Sequence, residues 1–245
     1  MHITPIFCLL LLLVCTSCQA QPATHLSVSA PTIEQEATSI WRTLNDLQFL
    51  EGLGYTIHLP QQEIIDSLKA KSKQGQFGND DFPTIYNLLE TEEYSESAYK
   101  AALTKVEAQR ELLQTLLQRL RAARQTWSWD FEMADAYEVT FTRYGTGGSY
   151  DPDHQRITLF TNSEGAFKRY KQPANTIIHE IVHLGVENTL VQRYKLSHPM
   201  KERLVDTIVY LLFNDLLPNY KIQNMGETRL DEFIKQQEDL VELEQ

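Results

Sequence analysis

His179-Glu180-Ile181-Val182-His183 lies inside a run opened by Pro173 and carrying Ile177, Ile178, Ile181, Val182 and Leu184. The apolar spacing predicts a buried helix, and Pro173 suits its first turn. On that helix His179 and His183 stand one turn apart on one face, with Cβ atoms roughly 5–6 Å apart. That separation lets one nitrogen of each ring reach a single metal ion at about 2.0–2.1 Å. Glu180 is one step round the helix, beside such an ion and not on it, where a general base for water is needed.

A catalytic zinc ion usually has three protein ligands. Glu187, a further turn along, is set aside because three ligands on one stripe would span about 12 Å of helix rise. His198 is a candidate, although it precedes Pro199 at a helix boundary and serves equally well as a cap. Glu202 is the better one. It stands nineteen residues after His183 on a second predicted helix, which starts at His198-Pro199 and stops before Pro218. Asp206 follows it at i+4 on the same face.

Upstream of Pro173 the pattern changes period. Tyr137 to Tyr144 and Arg156 to Thr161 alternate and are rich in β-branched and aromatic residues, with three glycines and Asp151-Pro152-Asp153 between them. This predicts a β-hairpin with a long connection. The Gly145-x-Gly147-Gly148 loop is no phosphate cradle, since it joins strand to strand and not strand to helix. Residues 33–124 read as helices. One runs from Ile33 to about Leu50 and ends at Gly52 and Gly54, a second starts at Pro60, and a short third opens at Pro83. Ser95 to Arg124 predicts one long helix with an apolar face from Tyr99 to Leu120. No chemistry is legible in that region. The expected class is α+β, mostly helical. The expected layout is a helical region over 33–130, a metal-binding unit over 131–220 and an acidic C-terminal helix or tail over 221–245.

Charge and cysteines bound the function. The chain carries 33 acidic and 22 basic residues, a net charge of −11, and has no basic stripe, so a nucleic-acid partner has no electrostatic support. All three cysteines, Cys8, Cys15 and Cys18, fall in the first eighteen residues. The apolar run from Ile6 to Val14 is too short to span a bilayer and reads as the core of a signal peptide, although no Lys or Arg precedes it. Two endings compete. Cys15-Thr16-Ser17-Cys18 resembles a bacterial lipobox in which Cys18 is lipidated, with Cys15 where Leu is usual; Cys18-Gln19-Ala20 instead suits cleavage after residue 20. Either predicts export, to the cell envelope on a lipid anchor or to the periplasm or medium, with residues 19–32 as a tether. The exported part has no cysteine, so thiol catalysis, disulfides and thiolate-held zinc are excluded.

His179-Glu180-x-x-His183 followed by Glu202-x-x-x-Asp206 resembles the gluzincin branch of the zincin metallopeptidases. The metzincin pattern fails, because residues 186 and 189 are Val and Thr. The resemblance covers about residues 137–216 and rests on five positions. It implies zinc held by His179, His183 and Glu202, with Asp206 hydrogen-bonded to a ligating imidazole. It further implies Glu180 as general base in peptide hydrolysis, a peptide or protein substrate, and an edge strand that pairs with substrate backbone. The oxyanion needs another donor, for which Tyr144, Tyr150, Tyr194, His198 and Tyr210 all qualify by type. Two other functions stay open: an envelope lipoprotein whose zinc is structural or vestigial and whose helices bind a partner, and a metal-free helical adaptor. Glu180 favours the enzyme, because a structural site has no use for a carboxylate that is not a ligand.

Overall fold

The structure is a computed structural model that describes residues 24–127, 129–168, 171–228 and 230–231. The expected signal peptide with Cys18, the proposed site of lipidation, and residues 232–245 lie outside the described residues. Twelve elements follow in order: β1 (His25–Val28), α1 (Ile33–Asn45), α2 (Leu47–Gly52), α3 (Glu63–Lys73), α4 (Phe82–Leu88), α5 (Lys100–Glu107), α6 (Arg110–Ala123), β2 (Ala136–Thr142), β3 (Ser149–Asp151), β4 (Arg156–Phe160), α7 (Pro173–Val186) and α8 (His198–Phe213). The class is α+β and mostly helical, with one small mixed sheet. No helix among the described residues is long and apolar enough to cross a membrane.

The strand order is β1-β2-β4-β3, and this corrects the expected hairpin. The segments 137–144 and 156–161 do become neighbouring strands, but β2 and β4 run parallel. Residues 143–155 are long enough for the return that parallel pairing demands. They also carry β3, which pairs antiparallel with β4 through the Pro152–Gln155 turn, so the true hairpin is β3–β4. A second correction concerns the tether. His25–Val28 is a strand, parallel to β2, and not part of a free linker. Its alternation covers only four residues, too few to rise above a Pro- and Ser-rich background.

The long helix expected over 95–124 is broken at Ala108-Gln109. Gln109 leaves helical geometry at φ −108° and ψ 13°, and its side-chain oxygen accepts the Ala174 N–H at 2.9 Å. The N-terminus of α7 has no capping side chain of its own, so Gln109 satisfies one of its orphan donors from across the molecule. Gln109→Ala is expected to cost about 1 kcal/mol of stability, measured by chemical denaturation, with the secondary-structure content unchanged. The first helix is likewise split at Asp46 into α1 and α2. The second begins at Glu63, three residues after Pro60. Residues 221–228 show no helix.

Two cores form. The larger packs one face of the sheet (Tyr137, Val139, Phe141, Ile157, Leu159) against α5, α6, α7 and α8 through residues such as Leu116, Leu120, Ile177, Ile181, Val205 and Ile208. The smaller gathers Ile40 and Leu44 of α1 with Ile65, Ile85 and Tyr144. The helices of residues 33–130 are therefore divided: α1, α3 and α4 build the smaller core, while α5 and α6 support the helices that bear the motif. Glu36, fully buried, joins the two parts by accepting hydrogen bonds from Tyr99, Thr142 and the Arg143 N–H. Burial raises its carboxyl above the usual range against those three donors. On α7, a Cβ at Gly185 would stand 2.0 Å from the Phe131 ring, so glycine is required for that ring to lie on the helix.

Candidate metal centre

α7 is buried on nearly every side, so the imidazoles of His179 and His183 leave water as the helix packs, with 5% and 1% exposure. α8 lies against it and brings Glu202 opposite. The His179 and His183 Nε2 atoms are 3.1 Å apart, and the Glu202 carboxylate lies 3.5 Å from the first and 3.4 Å from the second. Donors around a tetrahedral zinc at about 2.0–2.1 Å are separated by about 3.3 Å. The imidazole pair is close to that spacing, and Glu202 turns one oxygen toward each ring, Oε2 to His179 and Oε1 to His183. Among the described residues His179, His183 and Glu202 are the group placed to hold a metal, with one nitrogen or carboxylate oxygen from each. Glu187 is not in it.

The proton positions follow from the partners. Tyr220 donates its hydroxyl to Asp206 at 2.6 Å, and its oxygen stands 2.6 Å from His179 Nδ1. The tyrosine proton being committed, His179 Nδ1 is the donor, which leaves the Nε2 lone pair facing Glu202 and His183. Asp206 thus supports His179 through Tyr220, with a direct approach of 3.3 Å. Gln223 completes the support, its N–H donating to Asp206 at 2.6 Å and its amide to Glu202 at 3.1 Å.

Burial disfavours a charged His179, yet Asp206 and Glu202 outweigh it and push the ring up to about 9. Burial, aided by repulsion from His179, pushes His183 down to about 4. Burial would raise Glu202, but the two imidazoles hold it far below the usual carboxylate range. A metal ion needs the free Nε2 lone pair of each ring, so its binding competes with protonation there and weakens as pH falls. Tyr220→Phe is expected to weaken zinc about 10–100-fold in a chelator-competition titration, without loss of the fold.

His183 is held differently. Its Nδ1 has no hydrogen-bond partner among the described residues. Its ring instead stacks on Tyr150, with centroids 4.9 Å apart and planes at 10°. The Tyr150 hydroxyl donates to Glu187 at 2.6 Å and accepts from Lys201 at 2.9 Å. Glu187 sits where α7 loosens into a π-helical turn, Glu187–Gln192, which re-aims its side chain toward Tyr150.

The cluster opens into a cleft of about 790 Å³ whose walls include Tyr55, Gly148, Tyr150, Glu180, His198 and Lys201. Glu180 is nine-tenths buried beside the ligands and outside their set. A Cβ at Gly148 would come within 2.8 Å of its Oε1 and 2.7 Å of the Thr176 methyl, so any other residue here would push those side chains aside. Of the donors proposed for the oxyanion, Tyr150 and His198 line the cleft. Tyr144 belongs to the smaller core, Tyr210 is exposed on α8, and Tyr194 is outside the cleft lining. Lys201, Tyr220, Gln223 and the supporting role of Glu187 were not legible in the sequence. Only the one-residue separation of Lys201 from Glu202 hinted at any of them.

Neither protein-family models, nor curated proteins, nor solved structures give a match to this chain. The geometry alone carries the functional reading.

Proposed function

We propose that this chain is a zinc-dependent, gluzincin-like peptidase. The observation that carries the reading is the convergence of two imidazole nitrogens and the Glu202 carboxylate on one point, with a second acid, Glu180, that faces the same cleft without joining them. When bound, zinc supplies an activated water and polarises the scissile carbonyl. Glu180 takes the proton from water and returns it to the leaving amine. Tyr150 keeps the His183 ring in place through its stack, and its own proton is engaged by Glu187. Lys201 donates one hydrogen bond to the Tyr150 oxygen and has two further N–H groups to offer the developing oxyanion.

Substrate backbone pairs with β3. Among the described residues β3 is an outer strand of the sheet, and Gly147 to Tyr150 line the cleft, so an extended chain adds there as a further strand. The leader-like first eighteen residues support export of the enzyme, with Cys18 as its lipid anchor.

The test is zinc content and cleavage together. The full chain, replete with zinc, should hold one ion and cut a mixed-sequence peptide library. Substoichiometric zinc after repletion would sink the proposal, and full zinc without cleavage would favour a structural or vestigial site.

A further inference from the structure

The floor of the cleft is α7, with His179, Glu180 and His183. One wall is the turn leading into β3, and the other is the start of α8 with His198, Lys201 and Glu202. Residues 53–58 cross between these walls. At the β3 side the crossing segment is tied by paired backbone hydrogen bonds between His58 and Gly145, at 2.9 and 2.8 Å. Lys168 strengthens the tie, donating to the Thr56 carbonyl at 3.1 Å and the Thr146 carbonyl at 2.6 Å. At the α8 side the Tyr55 hydroxyl meets His198 Nε2 at 3.2 Å. His198 Nδ1 in turn stands 3.8 Å from Glu202. Gly54, at φ 74°, makes the bend out of α2 that lets the segment set off across the cleft.

The two anchorages differ in kind. The β3 end is held by backbone and charge-assisted bonds, and the α8 end through the side chain of Tyr55, whose hydroxyl meets His198. A segment tied through its backbone to one wall and through a side chain to the other is a strap over the site. A single extended chain can thread beneath it along β3, the outer strand of the sheet among the described residues. A folded domain, or any chain without a free end, must first break the latch.

We propose that the Tyr55 strap restricts the cleft to linear, unfolded polypeptide supplied end-first, and that Tyr55 is its specificity-determining residue. This rests on the peptidase reading above. The test uses the full chain with Glu180→Gln, zinc-loaded, so that bound peptides persist. A mixed-sequence linear library and its head-to-tail cyclised counterpart, with rings of about 24 residues to leave room for an extended segment, are captured and counted by mass spectrometry. Linear peptides should be favoured by at least about tenfold. The preference should shrink to about twofold in Tyr55→Ala, with Tyr55→Phe between, since it keeps the ring and removes only the latch bond. Equal capture of linear and cyclic peptides, a preference unchanged in Tyr55→Ala, or no capture at all overturns the strap. A linear preference that collapses in Tyr55→Ala, from a chain whose wild type cuts nothing, leaves the strap standing and overturns the peptidase.

Discussion

Glu180→Gln is expected to keep one zinc per chain and to lower kcat/KM on cleaved peptides by about 10²–10⁴-fold. That loss corresponds to roughly 3–5 kcal/mol of barrier. The substitution is nearly isosteric, so it fits the space that Gly148 and Thr176 leave around the carboxylate. It removes a base and no ligand, since Glu180 stands outside the donor set. The amide still hydrogen-bonds water but cannot take its proton, so the effect should fall on kcat more than on KM. Steady-state kinetics and metal analysis on the same preparation check both halves. Undiminished kcat/KM would remove Glu180 from the mechanism. A parallel fall in zinc content would make it a support of the site and not its base.

His183→Ala is expected to act on the metal itself. With free zinc about 100-fold above its Kd, the wild-type chain should gain about 2.7 kcal/mol. For a domain of this size that raises Tm by about 5–10 °C. The variant keeps only His179 and Glu202, too few to fill a zinc site, so its Tm should not respond to zinc. Removing a buried ring also opens a cavity and lowers the metal-free Tm, so the informative quantity is the zinc-dependent difference within each protein. A zinc shift retained in His183→Ala would place the metal elsewhere. Because Tyr150 stacks on His183, Tyr150→Ala should reduce the shift without abolishing it.

How much was legible depended on the range of the interactions. The helices at Pro173 and His198 were readable because their apolar repeats are strong and proline marks both starts. Strand content at 137–144 and 156–161 was readable from alternation, but their pairing was not. Alternation says which face is buried and carries nothing about the direction of a neighbour. The break at Gln109 follows from an N–H on α7, sixty-five residues away, and no local propensity encodes it. Tyr220 and Gln223 sit in irregular chain beyond α8, where no periodicity flags a side chain, so their roles appear only once that chain folds back over Asp206.

By itself the sequence determined the mostly helical α+β class, the register of His179 and His183 on one helical face, and Glu202 as the acid spaced to face them. Each follows from the 3.6-residue repeat and ligand chemistry, both local. The tertiary structure decided the rest: that Glu202 comes within 3.4–3.5 Å of both rings, that Tyr220 carries Asp206 to His179, that β3 is an outer strand of the described sheet, and that Tyr55 reaches His198 across the cleft. These contacts join residues far apart in the chain. They are set by the packing of α7 between the sheet and α8, which no stretch of sequence specifies alone.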